Sequence, residues 1–148
     1  MTDYRILNEQ LELITQNIPH RIANLANASA LIFQSLENLN WAGFYILENN
    51  KLVLGPFQGK VACIEIPVGN GVCGSAVAQN RTIVVGNVHE FEGHIACDSQ
   101  SLSEIVIPIH KNGKVVGVLD IDSPIENRFS DEDSEGLEQF VRIIENIW

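Results

Sequence analysis

The stretch Ile105–Ile121, which reads IVIPIHKNGKVVGVLDI, decides the fold of this 148-residue chain. Two runs rich in β-branched residues flank Lys111-Asn112-Gly113-Lys114, and Asn-Gly is the preferred centre of a tight type I′ hairpin turn. The stretch therefore predicts two antiparallel strands, Ile105–His110 and Lys114–Ile121.

Shorter strands and a short helix are predicted before this hairpin. The strand patterns are aromatic or β-branched and end at turn residues, and they cover Trp41–Leu47, Lys51–Leu54, Ala62–Val68 and Thr82–Val85. Val72–Gln79 is compatible with a short helix, and Phe91–Leu102 has no clean period, which indicates a loop.

Helical patterns occupy both ends of the chain. The apolar residues of the first helix recur at helical spacing and are Leu7, Leu11, Ile14 and Ile18. A second stripe runs from Ile22 to Leu36, and a last helix is predicted to start at Ser130, whose hydroxyl can cap the first turn. This order predicts an α+β fold, a single domain over residues 1–148 with the N- and C-terminal helices packed on one face of a central antiparallel sheet.

Acidic residues dominate the charge, with nineteen Asp and Glu against nine Lys and Arg and a formal net charge of -10. A chain of this sign repels phosphate backbones and anionic membrane surfaces, so neither nucleic acid nor a membrane is an expected partner. No apolar run approaches the roughly 18 residues of a membrane helix, and the first six residues lack the pattern of a secretion signal. We therefore expect a cytoplasmic protein.

Three cysteines, Cys63, Cys73 and Cys97, allow several interpretations. An odd number does not fit a framework of structural disulfides, and all three could be small buried hydrophobic residues. With His94 they supply suitable atoms for zinc, but no C-x-x-C pair is present, and we expect no metal. For thiol chemistry, both Cys73 near a predicted helix N-terminus and Cys97 near His94 are candidates, and the residues alone do not choose between them.

Gly69–Gly74 matches the pattern G-x-G-x-x-G. A dinucleotide site would place this pattern in a parallel βαβ unit, which Pro67 and the predicted antiparallel strands oppose. We expect these glycines instead to turn the chain tightly into a helix.

Asp120 and Asp122 stand at the end of a strongly apolar strand and project from one face, together with Val116 and Val118. Either this face turns to solvent there or the two carboxyl groups border a pocket. Carboxyl groups held near apolar surface have raised pKa values and can donate a proton.

Six segments together resemble one known family. They are Ala42–Tyr45 (AGFY), Gly55–Cys63 (GPFQGKVAC), Gly69–Gly74 (GNGVCG), His94–Asp98 (HIACD), Ser103–Val106 (SEIV) and Leu119–Ser123 (LDIDS). The family is that of the free methionine-(R)-sulfoxide reductases, which are single GAF domains. The similarity runs from about Tyr4 to the C-terminus, and three cysteines in these three contexts are more specific than a general GAF pattern.

The resemblance implies a role for each cysteine. Cys97 corresponds to the catalytic nucleophile, Cys63 to the resolving cysteine that forms a disulfide with it, and Cys73 to an auxiliary or alternative resolving cysteine. It also implies the walls of a substrate pocket, with the acids Glu104, Asp120 and Asp122 and the aromatic residues Trp41 and Tyr45.

In the implied reaction, the Cys97 thiolate attacks the sulfoxide sulfur and is left as a sulfenic acid, which condenses with Cys63 to a disulfide. Asp122 or Glu104 could donate the proton that the departing oxygen needs. A thioredoxin-type dithiol then reduces the disulfide, so no metal or organic cofactor is expected.

The family often forms homodimers, and the apolar stripes of the first helices suggest the same here. A GAF module that binds a small ligand or senses redox state without turnover is the alternative.

The hairpin poses a geometric question about this pocket. If Asn112-Gly113 centres an ideal two-residue turn, Glu104 lies opposite Ile121 and on the other face from Asp120 and Asp122. The three acids can share a pocket only if the pairing ends before Glu104 or contains a bulge.

Overall fold

The computed structural model describes residues 1–94, 97 and 99–148. Its elements in chain order are α1 (Tyr4–Thr15), α2 (Arg21–Ser35), β1 (Trp41–Glu48), β2 (Lys51–Gly59), β3 (Glu65–Pro67), α3 (Gly71–Gln79), β4 (Ile83–Val85), β5 (Ser103–Lys111), β6 (Lys114–Ser123) and α4 (Asp131–Asn146). A single 3₁₀ turn, Val88–Glu90, follows β4.

The six strands form one sheet in the order β3-β2-β1-β6-β5-β4, and every neighbouring pair is antiparallel. This architecture confirms the predicted α+β fold. The strand predicted over Ala62–Val68 is wrong in its extent, because only Glu65–Pro67 is a strand. Just before it, the carbonyl groups of Lys60 and Cys63 accept hydrogen bonds from the side chains of Trp41 and Tyr45.

The sheet separates two hydrophobic cores. On one face α1, α2 and α4 cover the inward side chains of three central strands, which include Ala42, Phe44, Ile105, Ile107, Ile109, Leu119 and Ile121. The alternate residues of the same strands point to the other face, where α3 and the chain connections cover Trp41, Tyr45, Val106 and Val118. The terminal helices therefore lie on one face, as predicted, and leave the other face for a site.

The predicted hairpin is present, and it contains a bulge. Asn112 and Gly113 both have positive φ, 53° and 78°, as a type I′ turn requires. The pairing then shifts, because Ile109 pairs with Gly117 whereas His110 pairs with Val115, which leaves Val116 without a partner on β5.

This extra residue reverses the alternation of β6 beyond the turn. Val116 packs against the core on the helix-covered face, whereas Val118 belongs to the core on the opposite face. The expectation that these two valines share a face is therefore wrong. The same shift brings Glu104 opposite Asp122, as the predicted bulge requires.

The structure confirms part of what the sequence predicted for the terminal helices. Ser130 and Asp133 form a reciprocal capping box at the start of α4, which confirms the predicted cap; the helix itself begins one residue later, at Asp131. In the first predicted stripe, Leu7 and Leu11 are buried, but Ile14 and Ile18 are more than 40% exposed.

No helix in the described residues is long and apolar enough to span a lipid bilayer.

Candidate active site

A small cavity opens on the face of the sheet opposite the three covering helices. Its volume is about 50 Å³. Side chains from β1, α3, β5, β6 and the segments before β3 and β5 line it, and they include Trp41, Tyr45, Cys73, His94, Cys97, Ser101, Glu104, Asp120 and Asp122. Every pocket residue named by the resemblance lines this cavity; Cys63 reaches it through its bond to Cys97.

Three carboxyl groups meet at the floor of the cavity because of the sheet register. Glu104 on β5 lies directly opposite Asp122 on β6, and Asp120 lies two residues back on the same face. Only 7% of Glu104 and 6% of Asp120 is exposed. Among the described residues that line the cavity there is no Lys or Arg to balance these acids.

Burial of the carboxyl groups and repulsion between their charges favour the protonated, neutral form of these acids. The pKa of Glu104 is well above its ordinary value because the group is buried, and Asp120 and Asp122 raise it further. Burial also raises the pKa of Asp120, although the neighbouring Glu104 carboxyl and Cys73 thiol, which can donate to it, partly offset this effect. Burial therefore favours the protonated form of the Glu104 and Asp120 carboxyl groups.

Cys63 and Cys97 are joined by a disulfide, with 5.6 Å between their Cα atoms. The two residues are 34 positions apart and belong to separate connections, one between β2 and β3 and one between β4 and β5. A redox-active pair of sulfurs therefore stands at the same cavity as the three acids.

Two aromatic side chains of β1 hold the segment that carries Cys63. The Tyr45 hydroxyl donates to the Cys63 carbonyl oxygen at 2.8 Å, and the Trp41 indole donates to the Lys60 carbonyl oxygen at 3.2 Å. Trp41 also stacks between Tyr45 and Phe57, at 5.9 and 5.1 Å between ring centroids. The predicted aromatic wall is thus also the support of a cysteine, a role that the sequence did not indicate.

Cys73 is the third residue of α3, but its surroundings do not favour a thiolate. The side chain is buried, and burial together with the charges of Asp120, Glu104 and Asp122 raises the pKa of the thiol. These effects outweigh the helix N-terminus on which the sequence argument for a reactive Cys73 rested. Cys73 is a free thiol while Cys63 and Cys97 are bridged.

The glycine-rich segment before Cys73 turns the chain, as expected. Gly69 and Gly71 have positive φ, and a Cβ on Gly74 would lie 2.6 Å from the Pro67 carbonyl oxygen. The strands on either side, β3 and β4, stand at opposite edges of an antiparallel sheet, so the βαβ unit of a dinucleotide site is absent from this segment.

The four residues first considered for zinc do not form a zinc site in this state, because two of the thiols are consumed by the disulfide. A different set comes together instead: the Cys73 sulfur and one carboxyl oxygen each of Glu104 and Asp120 lie within 4.8 Å of one another. Within the described chain, these are the groups that could hold a cation.

Ser101 lines the cavity but carries no signal in the sequence. Asn40 donates its side-chain amide to the Ser101 hydroxyl at 2.9 Å, which ties the end of the segment after Cys97 to the start of β1. His94 also lines the cavity, and partial burial, aided by His89, lowers the pKa of its imidazole. Ile95, Ala96 and Asp98, which belong to one of the resembling segments, lie outside the described residues.

An antiparallel six-stranded sheet with a small-ligand cavity on one face and terminal helices on the other defines the class of this protein. A family model described as GAF domain matches residues 9–148, and the chain belongs to that family.

Relatives named for an enzymatic activity narrow the family further. The chain is 51% identical, over 97% of its own length and 87% of the relative, to a free methionine-R-sulfoxide reductase of Escherichia coli. Two solved structures are similar. One is fRMsr of Staphylococcus aureus in complex with substrate (54% identity, 99% of this chain and 96% of that chain, TM-score 0.95). The other is a free methionine-R-sulfoxide reductase from Neisseria meningitidis in complex with its substrate (41% identity, 97% of this chain and 87% of that chain, TM-score 0.94). This chain belongs to the free methionine-R-sulfoxide reductases.

Proposed function

We propose that this chain reduces free L-methionine-(R)-sulfoxide to methionine through a sulfenic acid and a disulfide. One observation carries the proposal: the Cys63–Cys97 bridge stands at a cavity floored by Glu104, Asp120 and Asp122. A redox-active dithiol and a buried acid are the two components that removal of a sulfoxide oxygen requires.

In the first step, the Cys97 thiolate attacks the sulfoxide sulfur. A bond forms between the two sulfurs, and Glu104 or Asp122 protonates the sulfoxide oxygen. The resulting hydroxyl group then moves from the substrate sulfur to the Cys97 sulfur while the bond between the two sulfurs breaks. Methionine leaves and Cys97 is a sulfenic acid, so the sulfur of the substrate is reduced by two electrons and that of Cys97 is oxidised by two.

In the second step, the Cys63 thiol condenses with the sulfenic acid. A sulfur–sulfur bond forms and water leaves. A thioredoxin-type dithiol then reduces the bridge by exchange and restores both thiols. Both electrons come from thiols, so this scheme uses no metal or organic cofactor. A disulfide that must be reduced in every cycle suits a cytoplasmic location.

The acids also account for a preference for the free amino acid. The α-ammonium of free methionine sulfoxide can pair with a buried carboxylate, whereas a methionine sulfoxide residue within a peptide has lost that charge. A desolvated carboxylate left unpaired costs on the order of 1–3 kcal/mol, which disfavours the peptide.

The proposal is tested by incubating the protein with dithiothreitol and each epimer of free methionine sulfoxide and measuring methionine. We expect methionine from the R epimer only, and none from the Cys97→Ser variant. Binding of the R epimer without any methionine would identify a ligand-binding module and refute the enzyme. Replacing dithiothreitol with thioredoxin, its reductase and NADPH tests the reductant, since NADPH oxidation should then follow methionine formation.

We further propose that the chain forms a homodimer through its first two helices and their connection. This region exposes large apolar side chains that a solvated surface disfavours, including Leu13 and Ile22, which are 71% and 72% exposed. A second copy of the same face would cover them. Light scattering should give twice the mass of one chain, and Ile22→Glu should lower it to that of a monomer.

A further inference from the structure

We propose that Glu104 and Asp120 share one proton while the cavity is empty, and that the α-ammonium of the amino acid displaces it toward the sulfoxide oxygen. Recognition of the ammonium group and activation of the acid would then be one event. The inference rests on the proposed function and assigns a proton to its substrate-binding step.

The geometry of the two carboxyl groups carries this inference. A carboxyl oxygen of Glu104 and one of Asp120 lie within 4.8 Å of each other, and both side chains are more than nine-tenths buried. Two carboxylates this close in a water-poor site do not both stay ionised. In addition, Oδ1 of Asp120 is buried and has no hydrogen-bond partner among the described residues, so this oxygen is open to a ligand that donates.

The described residues around the pair include no Lys or Arg that could balance it. The Asp122 carboxyl faces Glu104 from β6, the Cys73 thiol reaches the pair from α3, and the Tyr45 hydroxyl of β1 is bound to a carbonyl oxygen. From the connection before β5 come His94 and the bridged Cys97.

On β4, Val85 stands next to Glu104 and is apolar. Only His94 among these described groups can carry a positive charge, and its pKa is lowered.

A bound ammonium changes which protonation state is stable. The positive charge favours ionised carboxyl groups, so it lowers the pKa of the acid and makes it a stronger proton donor. With methionine sulfoxide, the oxygen of the substrate can accept the displaced proton. With methionine, which has no such oxygen, the proton passes to the solvent.

Calorimetry with methionine tests this proposal without turnover. Methionine is titrated into the reduced full-length protein at pH 7, in phosphate and in Tris, whose ionisation enthalpies differ. The dependence of the heat on the buffer gives the number of protons released. We expect about one proton per methionine for the wild type, since one acid of the coupled pair ionises. N-acetylmethionine, which lacks the ammonium, should release none.

Variants assign the proton to the pair. Glu104→Gln should reduce the release to near zero, whereas Glu48→Gln, which removes an exposed acid at the end of β1, should leave it unchanged. If Glu104→Gln binds too weakly for calorimetry, Glu104→Asp retains the carboxyl and should retain the release.

Several results would overturn the inference: no measurable methionine binding, equal heats in the two buffers for the wild type, or full release by Glu104→Gln. An activity assay on the same preparations separates this proposal from the function. Reduction of the sulfoxide without proton release refutes only the shared proton, and proton release without reduction refutes only the enzyme.

Discussion

Glu104 and Asp122 lie directly opposite each other across β5 and β6, one position away from the register that an ideal two-residue hairpin would give. Val116, the extra residue of the bulge, causes this difference. The pairing of the two acids is therefore set by a bulge next to the turn, at the other end of the two strands.

Deletion of Val116 tests this register. Val116 has no partner on β5, so its removal should close the bulge and leave the other pairs of the two strands as they are, Glu104 opposite Asp122 included. We expect the deletion variant still to form methionine, with a lower thermal unfolding temperature because the Val116 side chain no longer packs against the helix-covered core. Val116→Ala, which keeps the bulge, is the matched control. Loss of methionine formation in the deletion variant but not in Val116→Ala would contradict the assigned register.

Cys63→Ser should separate the first turnover from recycling. Cys97 remains able to reduce one equivalent of sulfoxide, but its sulfenic acid lacks the bridged partner seen here. Rapid quenching should thus show one methionine per chain, followed by little turnover with thioredoxin. Cys73→Ser is the matched control and should recycle normally. The opposite pattern in the two variants would make Cys73 the resolving cysteine.

Tyr45→Phe should slow formation of the disulfide. The substitution keeps the ring against Trp41 but removes the 2.8 Å hydrogen bond to the Cys63 carbonyl, and a lost hydrogen bond of this kind costs about 1 kcal/mol. We expect the burst of methionine to keep its rate while loss of free thiols becomes several-fold slower. Tyr4→Phe removes the same atom far from the site, and equal thiol kinetics in the two variants would show that the bond does not position Cys63.

Tyr4→Phe should lower the free energy of unfolding at neutral pH more than at acidic pH. The Tyr4 hydroxyl donates to Asp133 at 2.6 Å. Partial burial would raise the pKa of Asp133, but hydrogen bonds from Tyr4 and Ser130 and the Arg128 guanidinium outweigh it and hold the pKa below its ordinary 3.8. A lowered pKa in the folded state stabilises the protein above the unfolded pKa, and this contribution is lost as pH falls through the folded value.

The variant should accordingly lose about 1–2 kcal/mol of unfolding free energy at pH 7. The difference from the wild type should shrink as pH falls below 3.8, the ordinary pKa of Asp, toward the lower pKa of Asp133 in the folded state. Urea unfolding at the two pH values measures both quantities. A deficit that is the same at pH 3 and pH 7 would show that the charge of Asp133 does not contribute.

The sequence predicted correctly those elements that are determined by residues close together in the chain. Asn112-Gly113 defines a turn by its positive φ values, and Ser130 with Asp133 caps a helix, so both could be recognised within a few residues. The need for a bulge was also visible, because the resemblance requires Glu104 and Asp122 on one face.

The position of the bulge could not be predicted, because it depends on packing between distant segments. A Cβ on Gly117 would lie 2.5 Å from the Tyr45 carbonyl oxygen and 3.0 Å from the Trp148 ring, so β1 and the C-terminus constrain the chain there. The same holds for the cysteines. Three cysteines allow three pairings, and the choice of Cys63 with Cys97 came from the resemblance and not from their spacing.

The two bridged sulfurs lie in connections outside the sheet, whereas the acids stand on its two adjacent central strands. Removing both thiols would thus leave in place the acidic side of the cavity, which the strands carry. A chain without these thiols should still bind the amino acid but could not reduce its sulfoxide. A ligand-binding protein and an enzyme of this fold would then differ by two sulfur atoms.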